Sequence, residues 1–152
     1  MMRDCPYTMA DLLPHEGPAV LLDAVLDWDR GRLAAQVDIH PGSRFFERAC
    51  GVPGYVGIEY MAQACGAYAG LDAKSKGEPV RLGFLLGTRR YSCSKPWFAA
   101  GDTLTVSVAE VLRDGVMGVF DCHIAVGGAE VAAARLNLYQ PEDSAAMNQG
   151  AS

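Results

Sequence analysis

The chain has 152 residues, half of them hydrophobic and a fifth of them charged. This length allows one globular domain with a single core and is too short for two. The net charge of −5 argues against a nucleic-acid-binding protein, because such proteins usually carry a basic patch or stripe. We expect one domain over residues 1–141 and a frayed polar tail over residues 142–152.

The apolar runs are too short to span a membrane, and the N-terminus carries no secretory signal, which predicts a cytoplasmic protein without a membrane span. The five cysteines are scattered and form no Cys-x-x-Cys pair. Neither a disulfide framework nor a metal site is therefore predicted. The sequence contains no nucleotide or flavin motif, and we expect no dissociable cofactor.

Two strands are predicted first, after a short N-terminal turn or helix. Residues 19–29 form an apolar segment that ends in a turn at residues 29–31. Residues 32–39 alternate between apolar and polar side chains, as a half-buried partner strand does. Residues 40–52 contain proline and glycine and are predicted to be irregular.

The strongest helix signal covers residues 55–71, directly after Pro53 and Gly54. Alanine and other small residues fill much of it, and its three glycines each weaken a helix by roughly 1 kcal/mol relative to alanine. Exposed helices seldom have this composition. We expect the helix to be wrapped on several sides by a sheet whose strands pack closely against it.

Four further strands are predicted at residues 81–93, 102–112, 116–126 and 130–139. Glycine-containing turns at residues 113–115 and 127–128 indicate hairpins between them. A strand pair, one helix and a run of antiparallel strands together predict the α+β class, with the sheet curled around the helix, because a single helix must bury its apolar surface somewhere.

Positive charge is concentrated in one part of this acidic chain. Residues 74–96 contain six basic residues and one acidic residue. Within this basic strip, Arg89, Arg90 and Lys95 are candidates for docking an acidic partner such as acyl carrier protein. A solvated strand edge would show the same pattern, so both interpretations stay open.

Two motifs resemble those of a known family. PGYVGIEYMAQ, at residues 53–63, resembles the Pro-Gly-x-x-x-x-(Glu/Asp)-x-Met-x-Gln motif of the hotdog-fold 3-hydroxyacyl-acyl-carrier-protein dehydratases. LPHEGPAVLLD, at residues 13–23, resembles their N-terminal Leu-Pro-His segment. Together with NLYQP at residues 137–141, they look most like the dehydratase-like proteins of aryl polyene gene clusters. The resemblance covers about residues 10–141.

The resemblance implies a hotdog fold, with one long central helix inside an antiparallel sheet. It also implies pairing with a second hotdog subunit, as a homodimer or a heterodimer, and a substrate carried on the phosphopantetheine arm of acyl carrier protein. Glu59 matches the catalytic carboxylate of the family, and we expect it to be buried. Backbone N–H groups of Gly54 and Tyr55 are expected to face the thioester carbonyl, and Gln63 to orient Glu59.

The family's second catalytic group is absent from its usual place. A histidine normally acts with the helix carboxylate, but residues 45–52, which should contain it, have none. His15 is the best candidate base, since histidine titrates near neutral pH, although a structural role is an open alternative. His40 is expected in a loop and His123 in a structural position. In a heterodimer, the partner would instead supply the base.

These residues predict a 3-hydroxyacyl-acyl-carrier-protein dehydratase or a subunit of one. Two alternatives stay open: a thioesterase of the same fold, in which Glu59 would activate water, and a non-catalytic subunit that keeps the helix motif for packing alone.

Overall fold

The computed structural model describes residues 20–80 and 84–140, which form an antiparallel sheet around one long helix. Strands β1 (Ala24–Asp29) and β2 (Arg32–Asp38) form the first hairpin. Strand β3 (Val52–Pro53) leads through a 3-10 turn (Gly54–Val56) into helix α1 (Gly57–Ser75). The remaining strands are β4 (Phe84–Cys93), β5 (Trp97–Phe98), β6 (Thr103–Asp114), β7 (Met117–Val126) and β8 (Ala129–Tyr139).

Six strands form one sheet in the order β1-β2-β6-β7-β8-β4, and every neighbouring pair is antiparallel. Strands β1 and β4 are therefore its two edges. The short strands β3 and β5 pair separately, with Val52 opposite Phe98 and Pro53 opposite Trp97. This small ladder carries the chain from the loop after β2 into the helix.

The core lies between α1 and the inner face of the sheet. Alternating residues of β6, such as Leu104, Val106 and Val108, are buried against the helix, while their neighbours face outward. The helix buries residues on several sides, including Tyr60, Met61 and Leu71. The predicted wrapped helix and the α+β class are confirmed.

Some predicted boundaries were wrong. Residues 20–23 are not in the first strand, which begins at Ala24, and the N–H of Leu21 donates a hydrogen bond to the Gln63 side chain of the helix. The helix runs four residues beyond residue 71. The pairing of β3 with β5 was not predicted, since two-residue strands carry no periodicity. The predicted tail over residues 142–152 lies outside the described residues.

No helix in the described ranges combines the length and the apolar character that crossing a membrane requires.

Candidate active site

Gly54, at the start of the helix, is held by contacts from strand β4 and from the segment between β4 and β5. Its N–H donates a hydrogen bond of 2.8 Å to the carbonyl of Pro96, and its carbonyl accepts one of 2.5 Å from the hydroxyl of Tyr91. A Cβ at this position would collide with the carbonyl oxygen of Lys95. Close backbone packing thus requires a glycine here.

The expectation that the N–H of Gly54 is free for a substrate is therefore wrong, because Pro96 occupies it. The N–H of Tyr55, the next backbone donor along the chain, is in a different situation. Within the described residues, no acceptor is found for the N–H of Tyr55, which lies in the first turn where a helix has no internal partner to offer. Of the two predicted backbone donors, Tyr55 is the one available.

Glu59 lies on the wall of a cavity of about 580 Å³ beside the helix start. Tyr55 and Val56 from the 3-10 turn, and Phe45 from the loop after β2, line the same cavity. The expectation that Glu59 is buried is wrong for this chain on its own, since its side chain is exposed. It stands on the side of α1 that the chain's own sheet leaves uncovered, whereas Tyr60 and Met61 on the covered side are buried.

Gln63 follows Glu59 by one helical turn and also lines the cavity. Only 8% of it is exposed, and its Oε1 accepts a hydrogen bond of 2.8 Å from the N–H of Leu21. The role of Gln63 in orienting Glu59 stays a prediction. The side-chain carbonyl of Gln63 holds the segment before β1 against the helix.

The loop that should carry the family's histidine presents Arg44 and Phe45 to the cavity. Phe45 has a left-handed backbone, with φ of 68°, and 48% of it is exposed. The guanidinium of Arg44 lies over its ring at 5.0 Å from the centroid. Non-glycine residues with positive φ often occur at functional sites. Sequence reasoning noted the missing histidine but did not identify these two residues.

No histidine of the described residues lines this cavity. His15 lies outside the described residues. His40 is in the loop after β2, as predicted, and its Nδ1 accepts a hydrogen bond of 3.0 Å from the N–H of Gly42. His123 stands on the exposed outer face of β7, 2.7 Å from Glu130. Neither His40 nor His123 lines the cavity of Glu59.

The three predicted docking residues differ in their surroundings. Arg89 and Arg90 are exposed on the edge strand β4, close in sequence to Tyr91. Lys95 is half-buried and forms a 3.0 Å salt bridge with Asp102. Lys95 is thus engaged within its own chain, while the two arginines face solvent.

In residues 20–80 and 84–140, no three His, Cys, Asp or Glu side chains are grouped so that they could hold a metal ion.

Comparisons with known proteins identify the family of this chain. Residues 7–149 match the family model described as ApeP-like, ApeP dehydratase. The 3-hydroxyacyl-acyl-carrier-protein dehydratase FabZ of Rhizobium leguminosarum bv. trifolii is 31% identical over 81% of this chain and 80% of that protein. The FabZ of Cronobacter sakazakii is 34% identical over 70% of this chain and 73% of its own length.

Solved structures show the same fold. The dehydratase heterocomplex ApeI:P from Xenorhabdus doucetiae matches with a TM-score of 0.87 and 32% identity, over 94% of this chain and 97% of that chain. The PaaI protein of E. coli, at a TM-score of 0.59 and 18% identity over 76% of this chain and 81% of that one, shares the fold alone. The fold is a hotdog fold, and the chain belongs to the ApeP-like dehydratase family.

Proposed function

We propose that this chain is a 3-hydroxyacyl-acyl-carrier-protein dehydratase, or the subunit of one that supplies the carboxylate. The observation that supports this function is the position of Glu59. Its carboxylate lies on a cavity wall within two turns of the helix start, where the N–H of Tyr55 has no acceptor among the residues that the structure describes. Dehydration needs both a proton-transferring group and a donor at the thioester carbonyl.

In the proposed reaction, a base removes a proton from C2 of the acyl group, and negative charge builds on the thioester oxygen. The C2–C3 double bond then forms as the hydroxyl leaves C3. Glu59 gives this hydroxyl a proton, and water departs. The N–H of Tyr55, aided by the positive end of the helix dipole, stabilises the charged oxygen. The reaction requires no oxidant and no cofactor.

We propose a partner hotdog subunit as the source of the base. Glu59 and Phe45 are both exposed in the single chain, and the described lining of their cavity includes no histidine. A similar chain occurs in a solved dehydratase heterocomplex. A histidine from the partner would complete the pair that dehydration needs. His15 of this chain is the alternative base.

Acyl carrier protein is the proposed substrate carrier, and the exposed Arg89 and Arg90 are its proposed docking residues. A carrier protein is acidic, so two unshielded guanidinium groups on an edge strand favour its approach. The strand that carries them also contains Tyr91, which contacts the helix start.

The function is tested by incubating a 3-hydroxyacyl carrier protein with two preparations of this chain. One is the chain alone, and the other is the chain co-purified with the hotdog subunit whose gene lies nearest to its own. Intact-mass analysis of the carrier protein measures the loss of one water. We expect the complex to turn over the substrate. The rate of water loss should fall at least 100-fold in Glu59→Gln and should change little in Glu47→Gln. Glu47 is an exposed carboxylate of the neighbouring loop that does not line the cavity.

Other outcomes separate the alternatives. Release of free acid from the carrier would identify a thioesterase. Unchanged turnover in Glu59→Gln would leave a non-catalytic subunit. Turnover by the chain alone that disappears in a stably folded His15→Ala variant would assign the base to His15 and remove the need for a partner histidine.

A further inference from the structure

The hydroxyl of Tyr91 contacts the helix start at one atom. Tyr91 is half-buried on the edge strand β4, and its hydroxyl donates a 2.5 Å hydrogen bond to the carbonyl oxygen of Gly54. The same oxygen accepts a hydrogen bond from the N–H of Gly57. A side chain at Gly57 would displace this tyrosine, because its Cβ would collide with the Tyr91 hydroxyl.

The carbonyl of Gly54 and the N–H of Tyr55 belong to one peptide group. None of the described peptide bonds is cis. In a trans peptide, the carbonyl and the N–H lie in one plane and point in opposite directions. A hydroxyl that holds the carbonyl toward β4 therefore directs the N–H of Tyr55 away from β4. Tyr55, Val56 and Glu59 line the cavity beside this peptide.

The neighbouring contacts prevent this peptide from turning. The N–H of Gly54 is bonded to the carbonyl of Pro96, and the Cα of Gly54 packs against the carbonyl of Lys95. A rotation that redirected the Tyr55 N–H would also move the Gly54 carbonyl of the same peptide, so it would break the hydrogen bonds that this carbonyl accepts from the Tyr91 hydroxyl and the N–H of Gly57. The Tyr91 contact is the one of these that depends on a side chain, so it is the one that substitution can remove.

We propose that Tyr91 is a positioning residue for the dehydration: its hydroxyl fixes and polarises the Gly54–Tyr55 peptide, so that the N–H of Tyr55 donates to the thioester oxygen of the substrate. This inference rests on the proposed function. A hydrogen bond accepted by a peptide carbonyl also strengthens the N–H of the same peptide as a donor. Tyr91 thus acts through Tyr55 and does not touch the substrate.

The hydroxyl stays protonated throughout the physiological range. Burial, and to a smaller extent Cys93, raise the pKa of Tyr91 well above its usual value. A neutral phenol is a hydrogen-bond donor, whereas a phenolate would be repelled by the carbonyl of Gly54. The contact therefore persists over the pH range in which a dehydratase works.

The test uses infrared spectroscopy of a 3-hydroxyacyl carrier protein labelled with carbon-13 at the thioester carbonyl. It is bound to the active assembly carrying Glu59→Gln, which stops turnover and leaves the helix start unchanged. Hydrogen bonding by the Tyr55 N–H lowers the carbonyl stretching frequency relative to the free substrate. We expect Tyr91→Phe, added to Glu59→Gln, to return the frequency most of the way to the free value.

Tyr68→Phe is the matched control. The Tyr68 hydroxyl accepts a hydrogen bond of 3.0 Å from the N–H of Gly31, and Tyr68 does not line the Glu59 cavity. Loss of the Tyr68 hydroxyl should leave the stretching frequency of the substrate carbonyl unchanged. With Glu59 intact, Tyr91→Phe should lower kcat about tenfold with little change in KM, because the Tyr55 N–H is loosened and not removed.

An equal lowering of the carbonyl frequency with and without the Tyr91 hydroxyl overturns the inference and leaves the proposed function standing. The same holds if Tyr68→Phe matches the effect of Tyr91→Phe. If the carbonyl of the substrate bound to the Glu59→Gln assembly shows no lowered frequency at all, the inference is also overturned. The proposed function is then decided separately, by measuring the loss of water from the unlabelled substrate. If Tyr91→Phe does not fold, Gly57→Ala displaces the same hydroxyl, and an unchanged frequency in that variant counts equally against the inference.

Discussion

The side chain of Gln63 holds the N–H of Leu21 at 2.8 Å, and both residues line the cavity that contains Glu59. Gln63→Ala would leave this partly buried N–H without its acceptor. We expect the free energy of unfolding to fall by about 1–3 kcal/mol, measured by urea denaturation. Gln36→Ala, which removes a half-buried amide bonded to Asp38 on the outer face, is the control and should cost less than 1 kcal/mol. Equal decreases in the free energy of unfolding of the two variants would mean that the Gln63–Leu21 hydrogen bond adds nothing to stability.

Replacing each of two glycines with alanine distinguishes a glycine required by close packing from one at a position with open space. At Gly54, a Cβ would collide with the Lys95 carbonyl, whereas at Gly87, in β4, it would meet nothing within 4 Å. Gly54→Ala should destabilise the protein by roughly 1–3 kcal/mol or more, because the backbone of a neighbouring segment must move. Gly87→Ala should be close to neutral. Thermal unfolding of the two variants provides the comparison, and similar melting temperatures would contradict it.

Reversing two charges on β4 should weaken binding of acyl carrier protein. Replacing Arg89 and Arg90 with glutamate should raise Kd at least tenfold at low ionic strength, with the difference shrinking as salt is added. Replacing the exposed Arg30 and Arg32 with glutamate changes the net charge equally and should have a much smaller effect. Binding is measured by isothermal titration calorimetry. If both pairs behave alike, the basic strip is only a solvated edge.

Alkaline pH should destabilise the fold through Tyr60. Burial, and secondarily the charge of Asp23, raise the pKa of Tyr60 from 10.0 to about 12. Between these values, the unfolded chain loses this proton while the folded chain keeps it. The contribution of Tyr60 to the free energy of unfolding is therefore fully present below pH 10. It is lost as pH rises toward about 12, by up to about 1.4 kcal/mol per pH unit.

The pH dependence of denaturant unfolding between pH 9 and about 11 checks this expectation. Tyr60→Phe removes one ionisable group and should make the decline less steep, while Tyr68 and Tyr91, whose pKa values burial also raises, keep part of it. Tyr55→Phe removes a hydroxyl from a side chain that is 71% exposed, and it should leave the slope as it is. A decline of equal steepness in the Tyr60 variant would assign the effect to other groups.

Much of the fold was predictable from the sequence. The period-two pattern of residues 32–39 and of the later strands follows from one buried and one solvated face, and the structure confirms it. The small residues of α1 likewise predicted a helix enclosed by strands. These signals are local, because each depends on which side of its own element a residue faces.

The contacts of the candidate site were less predictable, because they join segments distant in sequence. The sequence predicted Gly54 as a backbone donor, but nothing local indicated that Tyr91 and Pro96 would bond to it. The exposure of Glu59 was also missed. A helix of apolar composition predicts burial on average, yet a sheet that curls around one helix leaves one side of it uncovered.

The fixed peptide at the helix start also has a consequence for amide hydrogen exchange. The proton of Gly54 is buried and bonded to a carbonyl of another segment, so it should exchange only when the β3–β5 ladder opens. The proton of Tyr55, one residue later, should exchange rapidly in the resting protein. Two adjacent amides would thus report separately on the integrity of the scaffold and on the occupation of the cavity.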